Sequence, residues 1–462
     1  MPADSVRTRL GVVVTTLGLL ATAGAPAGAV APPQVDPEVA PPTASAGPVQ
    51  PMAQRSECTG AGVLPGSDPG AVTTAQASLD LGEAWRHSRG DGQLVAVIDT
   101  GVTPGPRLPD LTGGGDFVGD SDGLTDCDGH GTLVAGLIAG QPGADGFSGV
   151  APGARIVSIR QTSAHYAPRT PGEDPALARA ALEVDTLARA VVRAADEGAR
   201  VITISVATCL PADSGVDQRA LGAALRYAAV DRDAVIVAAA GDTSRGLGGG
   251  SACASNPLGD AARPADPRNW DSATTLSVPS WWQPFVLSVG AVGPGGGPSP
   301  FTMAGPWVGV AAPGENITSL SNAENGGLAN GLPDGRQGLA PISGTGYAAA
   351  YVSGVAALVR SRFPDLTAQQ VVNRLTATAH GAARAPSNLV GAGSVDPVAA
   401  LTWNVPAEID VDPAAVREVA APPLPQPADP MPRIVAFGGV GVLTLVVLGA
   451  VVMSRKRKDT TS

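Results

Sequence analysis

Leu94-Val-Ala-Val-Ile-Asp-Thr-Gly101 is five apolar residues running without a polar break into an aspartate and a turn glycine. A strand with one wet face alternates apolar and polar side chains, so a continuous β-branched run of this length reads as a strand buried on both faces. Four further runs are short and rich in β-branched residues: Ala154–Ile159, Val201–Ser205, Val235–Ala238 and Val286–Val289. Between them lie helical patterns. One starts at Asp174 and Pro175, a cap and a first-turn proline, and reaches about Arg193; others are expected near 219–230, 346–362 and 367–378. Strands alternating with helices predict an α/β fold, a doubly wound parallel sheet with helices on both faces. The glycine-rich stretches 241–251 and 293–298 read as surface loops.

Composition bounds the setting. Arg7 and Arg9 precede an apolar run, Leu10–Ala23, and the small-x-small Ala27-Gly-Ala29, so residues 1–29 read as a secretory signal. Ile434–Met453 is uncharged and apolar for 20 residues, long enough for a transmembrane helix. Arg455-Lys-Arg-Lys458 follows at once; this basic tail, 454–462, is expected in the cytoplasm and the bulk of the chain outside, at the plasma membrane. That cluster holds the only lysines in 462 residues. The net charge is −11, with the arginines scattered rather than striped, which excludes a nucleic-acid surface. Residues 30–54, rich in proline and alanine, read as extended and poorly ordered, the start of an N-terminal extension over 30–80. A Pro-rich spacer over 404–433 separates the main domain, 81–403, from the membrane. Cys58, Cys127, Cys209 and Cys253 lie in the exported segment, where two disulfides are expected and three connectivities are open. No spacing suggests a metal or another cofactor. His87, His165 and His380 read as solvent-facing.

Two more motifs join the strand that ends in Asp99. Asp128-Gly-His130-Gly-Thr-Leu-Val-Ala-Gly136 places a histidine at the head of a helix packed by small residues. Pro341-Ile-Ser-Gly-Thr-Gly346-Tyr-Ala-Ala-Ala350-Tyr-Val-Ser-Gly354 is a turn feeding an Ala-rich helix. In this order the three resemble the subtilases, the subtilisin-like serine proteases, in which an aspartate orients a histidine and the histidine takes the proton of an attacking serine. The last segment resembles the subtilase Gly-Thr-Ser-x-Ala-x-Pro-x-Val-x-Gly motif. Glycine stands at the serine position, 346, and Ala350 at the proline position. Ala238-Ala-Ala-Gly241-Asp242 resembles the segment that presents the oxyanion asparagine, with an aspartate in its place, expected to be ionised at neutral pH unless its surroundings raise its pKa considerably. Ser343, three residues upstream of Gly346, reads as a turn residue and not a substitute nucleophile.

Signal, subtilase domain, Pro-rich linker, one membrane helix and basic tail together resemble the mycosins, membrane-anchored subtilases of type VII secretion systems, as do Ile156-Val-Ser-Ile-Arg-Gln161 and the run ending at Arg360. The resemblance implies an N-terminal extension wrapped around the domain, with Cys58 pinned to Cys127 beside the active-site loop; the pairing expected is this one with Cys209 to Cys253. It also implies partners among the subunits of a secretion membrane complex. Three readings follow. The favoured one is a catalytically inactive subunit that stabilises or gates such a complex, its cleft able to hold a peptide segment of a secreted substrate by strand addition at Ser205. The others are an active serine endopeptidase and a surface-tethered peptide-binding module.

Overall fold

The computed structural model describes residues 30–170, 172–244, 252–260, 262–263, 265–324, 326–335, 338–382, 386–406 and 431–459. The expected signal sequence at 1–29 and most of the expected spacer lie outside them, as does 245–251 of the first glycine-rich stretch.

Nine strands form one sheet in the order 380–381, 393–394, 308–313, 286–292, 235–239, 201–204, 94–99, 155–160, 111–116. Every pair is parallel except the first, which is antiparallel. All five strands expected from apolar runs are neighbours at its centre. Both faces are covered. Helices His130–Ala139, Thr345–Arg362 and Ala368–Thr378 contribute to one apolar layer, Pro175–Asp196 and Arg219–Arg226 to the other. The helix starts follow from their caps: Asp174 accepts from the N–H groups of Ala176 and Leu177, and Thr367 forms a reciprocal capping box with Gln370.

Of the sheet's strands that escaped the sequence reading, two are six residues long. Leu111–Asp116 carries three glycines in six residues and Val308–Pro313 contains a glycine and a proline, compositions that argue against a strand taken alone. Their pairing with Arg155–Arg160 and Val286–Val292 overrides propensity. The helix expected over 219–230 ends at Arg226 and continues as a π-helical turn, Tyr227–Asp231.

Residues 30–54 correct the expectation of poor order. Their prolines give no periodic face with which to build a core, yet the chain lies on a core built by others. Val30, Val35 and Ala44 pack on the second apolar layer, Gly47 N donates to Asp116 O at 2.8 Å, and Met52–Gln54 pairs antiparallel with Tyr166–Pro168.

Residues 410–462 form a unit of their own, of which the helix Met431–Asp459 is described. Within it Ala436–Met453 has a mean hydropathy of 2.4 and wholly exposed side chains. At 1.5 Å per residue these 18 residues match most of the roughly 30 Å hydrocarbon thickness.

Where the His130 and Gly346 helices face the rest of the domain, Gly354 leaves no room for a side chain. A Cβ there would stand 2.6 Å from Val150 Cβ, inside van der Waals contact. Gly354→Ala is expected to destabilise the domain by about 1–3 kcal/mol through overpacking, read as a lowered midpoint in denaturant with unchanged slope.

Candidate active site

Asp99 ends its strand fully buried, and a carboxylate out of water must be met by donors. Three segments supply them. The N–H of Thr100 donates to Oδ1 at 2.7 Å, the hydroxyl of Ser205 donates to Oδ2, and His130 Nδ1 lies 2.8 Å from Oδ1 and 3.0 Å from Oδ2. Burial pushes the Asp99 carboxyl up, but the His130 charge and these hydrogen bonds outweigh it and hold the group below its usual value. His130 is 5% exposed. Burial alone would lower its pKa; Asp99, with Asp126 and Asp128 further off, raises it above the ordinary histidine value. The pair therefore holds the imidazole in one orientation, with Nδ1 engaged and Nε2 free to handle a proton.

Sequence reading missed what fixes His130. Its helix begins at Gly129 without a side-chain cap of its own. Buried Asp126 does that work from outside: Oδ1 accepts from Gly129 N at 2.8 Å, Asp128 N at 3.1 Å and Thr100 Oγ1 at 2.8 Å, and Oδ2 from Thr132 N at 2.9 Å and Thr132 Oγ1 at 2.6 Å. Thr100 Oγ1 in turn accepts from Gly131 N at 3.0 Å, tying the Asp99 strand to the His130 helix. The signal was present in Asp126-Cys-Asp-Gly-His130, an acidic residue one turn before a helix start.

Gly346 is the second residue of its helix, against His130. A Cβ there would stand 3.1 Å from His130 Nε2 and 2.5 Å from the carbonyl oxygen of Ser205. Position 346 offers no hydroxyl, and the Ser205 carbonyl lies inside the distance a side chain tolerates. Tyr347 packs on the imidazole, with ring centroids 4.8 Å apart. Ala350 is buried within the continuous helix Thr345–Arg362. Ser343 is engaged elsewhere, its hydroxyl accepting from Asn316 N at 3.3 Å.

Asp242 caps this helix. Oδ1 accepts from Thr345 N at 3.0 Å, and Thr345 Oγ1 accepts from Gly241 N at 3.2 Å. Burial pushes the Asp242 carboxyl up to about 6, against the lowering effect of Thr345 and His130, so it stays largely ionised at pH 7. The group is thus a helix cap and an acceptor, not a donor. Ser205 also differs from its expected role. It follows directly on the strand Val201–Ile204, and its hydroxyl is committed to Asp99 rather than turned to a peptide.

Cys58 is bonded to Cys127, between Asp126 and Asp128, and Cys209 to Cys253. Asp128 holds Ser163 Oγ at 2.6 Å and Ala164 N at 2.7 Å, and the next residue corrects the solvent-facing expectation for His165. Both its ring nitrogens meet the N-terminal extension, Nδ1 at Ser56 Oγ, 2.8 Å, and Nε2 at Thr59 Oγ1, 2.9 Å. His87 is half-buried, 3.6 Å from Glu83, and His380 is exposed. Among the described residues no group of three or more His, Cys, Asp or Glu could hold a metal ion.

The raised pKa of Asp242 has a definite sign. The native state binds this proton more tightly than the unfolded chain, so the contribution stabilises at low pH and is lost as pH rises from about 4 through about 6. Asp242→Asn removes it. Thermal unfolding followed against pH is expected to show the variant gaining on the wild type across that window, by on the order of 2–3 kcal/mol at pH 7.

The subtilase family pattern matches residues 90–393. Mycosin-3 of Mycobacterium tuberculosis (strain ATCC 25618 / H37Rv) is 60% identical over 439 residues, covering 94% of this chain and 95% of that protein. Mycosin-1 of Mycolicibacterium smegmatis (strain ATCC 700084 / mc(2)155) is 44% identical, covering 97% and 98%. Among solved structures, the MycP3 protease from the type VII (ESX-3) secretion system superposes with a TM-score of 0.78 at 69% identity, over 81% of this chain and all of the other. A chain of the intact ESX-5 inner membrane complex gives 0.79 at 47%, over 92% of this chain and all of the other. Fold, motif order and similarity along nearly the whole length agree: the chain belongs to the subtilase family, and within it to the mycosins.

Proposed function

We propose that this chain is a catalytically silent mycosin, a subunit that stabilises or gates a type VII secretion complex from the outer face of the plasma membrane. The observation that carries the reading is the contact at position 346. The residue beside His130 Nε2 is glycine, and the Ser205 carbonyl lies where the first carbon of a serine would need space. Asp99 and His130 then form a proton-handling pair without a nucleophile to serve. Loss of a nucleophile of this class costs about 10⁶ in kcat, and loss of an oxyanion donor about 10²–10³. Asp242 adds the second loss, because an ionised carboxylate repels a developing oxyanion where an amide would donate to it.

The role left is structural. Relatives solved as parts of the ESX-5 inner membrane complex support an assembly partner of that kind for this chain. The apolar helix Met431–Asp459 supplies an anchor, and the basic run at 455–458 favours a cytoplasmic tail with the subtilase domain outside. The linker over 404–433, read from its composition, is the tether between them.

Fluorophosphonate labelling of the purified chain tests the reading. Wild type is expected to remain unlabelled. Gly346→Ser is expected to label slowly, because Ser205 must yield to admit the side chain, and Gly346→Ser with Asp242→Asn to label about 10²–10³-fold faster than the single variant. Labelling and peptide cleavage by the wild type would overturn the proposal; folded revertants that both stay inert would show that Asp99 and His130 are no longer set for catalysis.

A further inference from the structure

A cavity of about 180 Å³ opens away from the Asp99–His130 pair, at the ends of strands Val286–Val292 and Val308–Pro313. Its walls are mostly apolar: Val292, Pro313 and Val390 on the domain side and Ala75 from the short helix Thr74–Ser78 of the N-terminal extension. Two side chains that can carry charge face it. Half-buried Glu315 makes no hydrogen bond or ion pair with any described residue, and His380 stands at the rim, 3.6 Å from Asp396. Among the described residues no arginine lines it.

The glycine loop at 293–297 forms the lip, and Gly293 is shaped to this carboxylate. A Cβ at 293 would stand 2.8 Å from Glu315 Oε1 and 3.3 Å from Oε2, so an alanine there would push the flexible carboxylate aside. Gly293 has no left-handed backbone that would otherwise require glycine. The glycine thus leaves room at the edge of the cavity for a carboxylate that has no hydrogen bond or ion pair with a described residue. A carboxylate so placed can be met by a cation through a charge-assisted hydrogen bond.

We propose that this cavity receives a lysine side chain from a partner polypeptide, its methylene stem against Val292, Pro313 and Val390 and its ammonium on Glu315. An apolar shaft ending in a single carboxylate fits a long aliphatic side chain with a compact cationic head. The lysine is assigned to another chain: in these 462 residues lysine stands only at 456 and 458, in the last turn and a half of the helix Met431–Asp459. The proposal does not depend on whether position 346 is catalytically silent.

The test uses the full-length chain in detergent and Nα-acetyl-lysine N-methylamide, followed by saturation-transfer NMR. Transfer to the δ and ε methylenes is expected. Glu315→Gln is expected to weaken binding at least 10-fold, and Gly293→Ala, which displaces the carboxylate, by a similar factor, whereas Glu83→Gln leaves it unchanged. The norleucine analogue is expected not to bind. The proposal fails if the lysine probe shows no transfer at 20 mM, if the norleucine analogue binds equally, or if folded Glu315→Gln binds as the wild type does. Binding of n-butylamine as tight as that of the capped lysine would also overturn it, assigning the cavity to free amines.

Discussion

Asp99 is a negative charge with no route to water, and much of the domain's centre is arranged around meeting it. The carboxylate draws a backbone N–H from its own turn, a hydroxyl from the end of the adjacent Val201–Ile204 strand and an imidazole from the helix on one face of the sheet. Removing a donor from a buried carboxylate costs far more than the hydrogen bond it makes, because the charge remains. This explains how the Asp99–His130 geometry persists beside a position that offers no nucleophile. The pair holds three elements in register whatever happens at 346.

Asp126 repeats the logic one layer out. Its five bonds cap the His130 helix, and the neighbouring Cys58–Cys127 disulfide and Asp128 extend the same loop to the N-terminal extension and to the segment around His165. Thus the extension, the His130 loop and the sheet edge form one connected block. Asn322 closes it, donating to the carbonyls of Thr59 and Asp126 at 2.9 and 3.1 Å. Such a block suits the binding of a partner, since a rigid surface loses less entropy when a partner binds.

The sheet centre was legible because short runs rich in β-branched apolar residues have few other homes, and the helix starts because Asp174-Pro175 and Thr367 with Gln370 advertise their caps. Leu111–Asp116 was not, since its glycines carry no strand preference and only a neighbour makes it a strand. Asp99, His130 and position 346 could be placed by motif order alone. The functions of Asp126, Ser205 and Asp242 could not, because each acts on a residue that is close only in the fold: Asp126 on Thr100, Ser205 on Asp99, Asp242 on the N–H of Thr345. Residues 30–54 misled for a related reason. Composition reports whether a segment can build a core, not whether it can lie on one.

The most direct test of a structural rather than proteolytic role is complementation in cells lacking this chain, with wild type and His130→Gln each supplied at matched level. A silent subunit predicts that the variant restores intact secretion membrane complex and secretion as fully as the wild type. Loss of both by a His130→Gln chain that is folded and inserted would contradict the account, because it would show that the imidazole still performs chemistry.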